Sequence, residues 1–405
     1  MSTVDGSIDL LSPASFAAGH PHETYAWLRD HAPVYRHAET DGGPGFWAVT
    51  RYADVKAIGR DPESFSSEPT VMIADDTAVQ IGDHKMMLMA DPPYHTRLRR
   101  IVNSEFTPKS AARLSARVES LCSAIVDEVV DRGECDFMTD VAGELPSYVI
   151  ADLMGIPLDD GRRLYGLTET IHAAPESVAP GAGMGAVIEM FNYAHEIAAE
   201  KRKRPGADLA TKILHAEIDG HRLDDIDFNL FFLLLVDAGG DTTRNLLGGG
   251  LLALFEHPAE RARLQADLDT LVPRATEEML RWVSPVIEMR RRATRPLTLQ
   301  DVAIAEDDKV VMYYGAANRD PRAFAAADQF DVGRDPNEHI AFGGGGPHFC
   351  LGAHIARVEI HAMLRAVLTR LADIEPAGPV EWLPSTFISG PKHLPVRFTP
   401  GQRVG

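Results

Sequence analysis

Four short stretches carry residue types that are poor choices for stability and well suited to chemistry. The first is Phe342-Gly-Gly-Gly-Gly-Pro-His348-Phe349-Cys350-Leu351-Gly352, which runs into an apolar-striped segment at Ala353–Leu371. Four glycines let a backbone pass close to something flat or bulky. A cysteine at the start of a helix is placed where backbone amides and the helix dipole favour its thiolate. A phosphate loop would need Gly-Lys-Ser/Thr after the glycines, and none follows. Three readings stay open: a zinc site from His348, Cys350 and His354, a thiolate ligand to a metal-bearing cofactor, and a plain buried cysteine at a glycine turn. The thiolate reading alone uses the glycines, the helix and the single cysteine together.

The second stretch, Asp237-Ala238-Gly239-Gly240-Asp241-Thr242-Thr243, interrupts the apolar segment Asp227–Glu256. Glycine inside a helix costs about 1 kcal/mol against alanine, and a buried acid costs more unless partnered. Either one long central helix carries a functional break, or two helices meet at a Gly-Gly turn. The third is Glu278-Met-Leu-Arg281, whose charged ends share a helix face; by itself it reads equally as a surface ion pair. In the fourth, His95 and Arg99 at i and i+4 form either an anion clamp or a solvated basic face.

The elements that must position these residues are mostly helical: Pro108–Arg132, Ala186–Lys203, Asp227–Glu256, Pro273–Trp282 and Ala353–Leu371. Short strand-like stretches at Gly45–Val49, Leu297–Leu299, Val310–Tyr314 and Val396–Phe398 bunch near the start and in the last third. Without β–α alternation the expected class is mainly α with a small β portion (α+β). No composition break divides the chain, so one domain over residues 1–405 is expected, with a short N-terminal arm of about 20 residues. Forty basic against 59 acidic residues leave a net charge of −19, which argues against nucleic acid and anionic lipid as partners. Cys122, Cys135 and Cys350 have no CxxC spacing, so no disulfide framework is expected. The longest apolar run, Leu230–Val236, is seven residues, far short of the ~20 that span a bilayer. With no signal-like N-terminus, a cytoplasmic protein without a membrane anchor is expected. The basic knot Lys201–Arg204, stopped by Pro205-Gly206, reads as a helix C-terminus and not as a nuclear signal.

In this order and spacing, the four stretches resemble the cytochrome P-450 superfamily, specifically its soluble bacterial haem-thiolate monooxygenases, from about Phe46 to the C-terminus. Asn318-Arg-Asp-Pro321, Phe330-Asp331 and Arg334 extend the likeness. The resemblance implies haem b with Cys350 as axial ligand to the iron, between Phe342 and Gly352 of the haem loop. It implies His95, Arg99, Arg291 and His348 at the haem propionates, with Arg290 and Arg292 leaving that register open by one. Asp241 and Thr242 match the acid–alcohol pair that delivers protons to dioxygen, and Glu278, Arg281 and Arg334 a salt-bridged core. Leu234, Asp237, Ala238, Val286, Ile287, Phe387 and Ile388 match substrate positions, beside the Val71–Met89 and Thr168–Phe191 regions and a lid at Pro175–Gly185. Asp237 stands where an apolar residue is common and turns either to substrate or to a neighbouring helix. The haem loop departs from the usual pattern: Phe342 to Cys350 is eight residues, where seven is usual. Implied partners are O2, an apolar lipid, branched fatty acid, terpenoid or sterol, and a ferredoxin with its ferredoxin reductase docking on Arg99, Arg100, Lys109 and Arg113; a monomer is expected. The rival readings are a peroxide-driven peroxygenase and a non-catalytic haem sensor or carrier.

Overall fold

The computed structural model describes residues 8–39, 42–74, 80–172, 178–218 and 220–404. Its longest element, the central helix Asp225–Glu256, runs 32 residues without a break, about 48 Å at the rise of an α-helix. Gly239-Gly240 is therefore a step within one helix, and the two-helix alternative falls. At the N-terminus, the Asp224 carboxylate accepts from the amides of Ile226 and Asp227, and Asp227 reaches back to the Asp224 amide. Two acids thus cap the positive end of the helix. At the other end Pro258 opens the next helix and keeps His257 out of helical geometry. Leu230–Val236 is buried on every side, as an all-round apolar surface requires.

A glycine run that sequence reading passed over, Gly248–Gly250, sets the packing on this helix. A Cβ on Gly249 would stand 2.8 Å from Val283, and one on Gly250 2.7 Å from Met279. The helix Leu268–Val283, which carries Glu278 and Arg281, approaches at backbone distance for that reason. It was expected to start at Pro273. It starts five residues earlier because Asp267 caps it, accepting from the Thr270 amide, and the proline lies inside.

Other helices follow the sequence closely: Pro108–Val129, Ala182–Lys203 and Ala353–Arg370. Glu144–Met154 and Leu158–His172, not singled out from sequence, both pack on the central helix. The minor β portion centres on a five-stranded sheet in the order Val34–His37, Phe46–Val49, Lys309–Tyr313, Glu288–Ala293, Phe65–Ser66. Only the pairing of Phe46–Val49 with Lys309–Tyr313 is parallel among these. Glu288–Ala293 reads as charged, Glu-Met-Arg-Arg-Arg-Ala, and escaped recognition as a strand because Glu288, Arg290 and Arg291 are buried. The N-terminal arm is no free arm over residues 8–16: Leu10 and Phe16 sit in the core, and the Leu10 amide bonds His37 Nε2 at 3.0 Å. Among the described residues no helix is long and apolar enough to cross a membrane.

Candidate active site

The cysteine loop is shaped by glycine. Gly343, Gly344, Gly345 and Gly346 all have positive φ, between 66° and 105°, a region costly for other residues. A Cβ on Gly346 would run into the Gly59 carbonyl, and Arg60 Nε donates to Gly344 O at 2.9 Å. The loop thus lies flat on the end of the helix Tyr52–Arg60. The additional residue is absorbed here, since all four glycines take the left-handed form. The turn closes where the Cys350 amide donates to Phe342 O at 2.9 Å, and Gly352 caps the helix Ala353–Arg370. Burial pushes the Cys350 thiol up, opposed by the amides of Gly352 and Ala353 and the charges of Arg99 and Arg357. His354 does not join His348 and Cys350: the group among the described residues whose side chains come close enough to hold an ion is His84, Asp224 and Asp227, elsewhere. The zinc reading is withdrawn.

Basic groups converge beside the cysteine. His95 and Arg99 come from the helix Tyr94–Val102, and His348 from the loop. The His95 and His348 rings are 4.2 Å apart between centroids. His348 Nε2 meets Ser67 Oγ at 3.1 Å, and Arg99 Nη1 donates to Pro347 O at 2.9 Å. Strand alternation separates the three arginines: Arg290 reaches the Ile73 carbonyl and Arg292 pairs with Asp307, both away from this group. Arg291 points the other way, and its charge bears on both His95 and His348. Burial first, then these cationic neighbours, lowers His95 to about 4 and His348 well below its usual range. The buried Nδ1 of His95 has no partner, and buried Arg291 donates to the Arg290 carbonyl. Such a cluster is costly without a matching anion.

On the central helix the acid and alcohol separate by burial. Asp241 is buried, while Thr242 is half-buried and its hydroxyl donates to Ala238 O at 3.2 Å. Ala238 is exposed in the middle of a helix buried before and after it, so an open cleft faces the helix there. Asp237, Val286 and Phe387 are also half-buried. Leu234, Ile287 and Ile388 are buried: Ile287 lies in a core cluster with Tyr25 and Tyr313, and Leu234 in the main core. Ile287 also fixes the segment, donating to Phe387 O at 2.8 Å while Val286 bridges Ile388. Parts of the Val71–Met89 and Thr168–Phe191 regions, and of the expected lid, fall outside the described residues.

Glu278 and Arg281 are wholly buried and joined by two hydrogen bonds, 2.7 and 2.8 Å. Arg334 Nε adds a third at 3.0 Å. A neighbouring network was not foreseen. Arg357 donates twice to Glu277, which also meets His339 at 3.0 Å, and its guanidinium lies 4.6 Å over the Phe342 ring. Arg357 stands two helical turns after Cys350, the signal that would have revealed it.

A profile of the family described as Cytochrome P450 matches residues 184–378. A methyl-branched lipid omega-hydroxylase of Mycobacterium tuberculosis is 39% identical over 387 residues, covering 93% of this chain and 90% of its own. The chain belongs to the cytochrome P450 family. A steroid C26-monooxygenase of Mycobacterium bovis is 35% identical over 411 residues, 96% of this chain and 92% of that one. The solved structure of a Mycobacterium marinum cytochrome P450 in complex with pseudoionone superposes with a TM-score of 0.89 at 35% identity, covering 98% and 100% of the two chains. This P450 is thus a monooxygenase with a cysteine-ligated haem iron, using O2, electrons from a redox partner and an apolar substrate. The residues present fit that cofactor. The unpartnered His95 Nδ1 and the acid-poor cluster of His95, Arg99, Arg291 and His348 suit a group bearing two carboxylates. A Cβ on Gly352 would meet no protein atom within 4 Å, leaving room beside Cys350 for a flat ring.

Proposed function

We propose that this P450 hydroxylates an unactivated C–H bond of a lipid-class molecule, a branched fatty acid, terpenoid or sterol. Bound haem supplies the activation of dioxygen and the transfer of one oxygen atom to carbon. Cys350 would hold the iron, its sulfur steadied by the amides of Gly352 and Ala353 and by Arg99 and Arg357. His95, Arg99, Arg291 and His348 would hold the propionates. The observation that carries this reading is that basic cluster, gathered from three distant segments around a single cysteine and with an unpartnered nitrogen inside it.

Thr242, half-buried at the open cleft, would pass protons inward, since its oxygen can still accept while its hydrogen bonds Ala238 O. Asp241 would supply them. Ala238 offers an apolar exposed surface beside Thr242, half-buried Val286 and Phe387 are apolar candidates to face substrate, and half-buried Asp237 is an acid one residue before Ala238. The names of the mycobacterial relatives, a branched-lipid hydroxylase and a steroid monooxygenase, support the same substrate class. For electrons we favour a ferredoxin and its reductase. Arg100, Lys109 and Arg113 are exposed cations, and Arg99 donates to Pro347 O of the haem loop.

The test is a spectral titration of the holoenzyme with methyl-branched fatty acids, terpenoids and sterols, followed by turnover with ferredoxin and reductase. Saturable shifts of the haem band with at least one class, and a product heavier by one oxygen, are expected. No shift with any class overturns the substrate reading, and turnover with peroxide but not with ferredoxin overturns the electron route.

A further inference from the structure

The histidine of the cysteine loop meets a serine that the reading above leaves without a role. Ser67 is 1% exposed and follows the strand Phe65–Ser66, which pairs with Ala293 and Arg292 beside Arg291. Its two polar groups do different work. The amide donates to Asp91 Oδ1 at 2.8 Å, while the hydroxyl reaches His348 Nε2, 281 residues away in sequence, at 3.1 Å. The other Asp91 oxygen accepts the buried Ser66 hydroxyl, and Ser66 Oγ accepts the Glu68 amide at 3.0 Å. Asp91 is itself fixed at the approach to the helix Tyr94–Val102, where its carbonyl accepts the His95 amide at 2.9 Å. One carboxylate therefore clasps the chain before the Val71–Met89 region to the chain after it. Both sides of the clasp reach the basic cluster, Ser67 at the His348 ring and Asp91 at the His95 backbone. Among the described residues the Asp91 carboxylate bonds Ser66 and Ser67 and neither histidine. The two stacked rings are thus held unequally: His95 Nδ1 is buried without a partner, whereas His348 Nε2 has the serine.

We propose that Ser67, aimed by Asp91, is a positioning residue for the cofactor: it fixes the plane of the His348 ring so that the imidazole receives a haem propionate without reorienting. This rests on the reading of His348 as a propionate partner. The loop backbone already has its own anchor one residue earlier, where Arg99 donates to Pro347 O. The ring torsions are what remains free, and the serine hydroxyl sets them. A hydroxyl rotates to suit its neighbours, so its aim must come from the backbone that carries it, and Asp91 holds that backbone through the Ser67 amide. A ring ordered before its ligand arrives removes that ordering from the cost of binding. Histidines bound to metals are oriented in the same way by a partner on the second nitrogen, and losing that partner weakens binding about 10- to 100-fold. A Ser67 that only filled space would act on haem retention whether or not the imidazole were present. A positioning Ser67 acts only through it.

Ser67→Ala deletes one oxygen and keeps the amide that Asp91 accepts, so the fold is retained. Haem transfer from the ferric holoenzyme to excess apomyoglobin is timed by absorbance for wild type, Ser67→Ala, His348→Ala and the double variant. Each single variant loses haem about ten-fold faster, and the double variant loses it no faster than His348→Ala. Asp91→Asn, which keeps one acceptor oxygen, falls between wild type and Ser67→Ala. A second readout needs no haem loss: in the ferrous carbon monoxide complex the nitrogen-15 resonance of His348 Nε2 moves in Ser67→Ala. Wild-type haem loss in Ser67→Ala, an unmoved resonance, or multiplied single effects in the double variant, beside faster loss in His348→Ala, would refute the positioning role and leave His348 at the propionate. Unchanged haem loss in His348→Ala would remove His348 from the propionates and the role of Ser67 with it.

Discussion

Replacing Glu278 by glutamine tests the buried ion-pair core with a change of one atom. The carboxylate accepts five donors: Arg281 Nε at 2.8 Å, Arg334 Nε at 3.0 Å and Asn337 Nδ2 at 3.1 Å on one oxygen, Arg281 Nη2 at 2.7 Å and the Asp331 amide at 3.0 Å on the other. Glutamine keeps one carbonyl oxygen. Its better orientation retains the first three and turns an NH2 group toward the remaining two donors. Each bond lost at a charged, buried partner is worth about 1.5–3 kcal/mol, so the pair costs about 3–6 kcal/mol. Breaking a buried ion pair by removing one charge gives a similar figure, about 3–5 kcal/mol. Asp335→Asn is the control: its bridge to Arg274, 3.2 Å long, is half exposed on both sides and should contribute less than about 1 kcal/mol. Equilibrium urea unfolding followed by far-ultraviolet circular dichroism compares both variants with wild type at one pH and ionic strength. Glu278→Gln within about 1 kcal/mol of wild type would refute the account of a core held by desolvated charge.

Three further outcomes follow from the site. Gly346→Ala should destabilise by about 2 kcal/mol or more, from its left-handed φ and the Gly59 carbonyl, whereas Gly166→Ala, within a helix and with open space around its Cβ, should not lower thermal stability; equal midpoints for the two would contradict the loop geometry. Burial pushes the Glu277 carboxyl up, but the hydrogen bonds of Arg357 and His339 outweigh it and hold it at about 2. Its stabilisation is therefore complete above the ordinary range near 4.5 and is lost as pH falls toward 2. Glu277→Gln should accordingly flatten the fall of stability between those values, and an unchanged acid limb in pH-dependent unfolding would count against the network. Thr242→Ala should divert electrons into peroxide, with product per O2 falling by about 10²-fold while substrate affinity holds; unchanged coupling would remove Thr242 from proton delivery.

The residues most legible in the sequence were those least explicable by packing. Cys350 before a helix, glycines and acids in a central helix, and Glu278 with Arg281 all cost stability unless something partners them, so they stood out. The central helix itself was legible because apolar residues surround it, whereas its acidic cap at Asp224 came only with the structure. Residues whose role depends on a partner far away in sequence were not. Arg357 is an ordinary helix arginine until Glu277 and the Phe342 ring are brought to it. Ser67 acquires meaning only through Asp91 and His348. The strand Glu288–Ala293 was missed because burial of arginines overrides the apolar alternation that marks strands, and with it went the register of Arg291. Ile287, just before that strand, lies in a core cluster with Tyr25 and Tyr313, neighbours that no local pattern reveals.

The central claim is that Cys350 is the thiolate ligand of haem iron, and it is tested most directly by the absorption spectrum of the dithionite-reduced protein under carbon monoxide, beside Cys350→His. The account predicts a strongly red-shifted Soret band in wild type that is lost in the variant. An unshifted band in wild type, the same band in both proteins, or no haem band after haem-supplemented expression would contradict it.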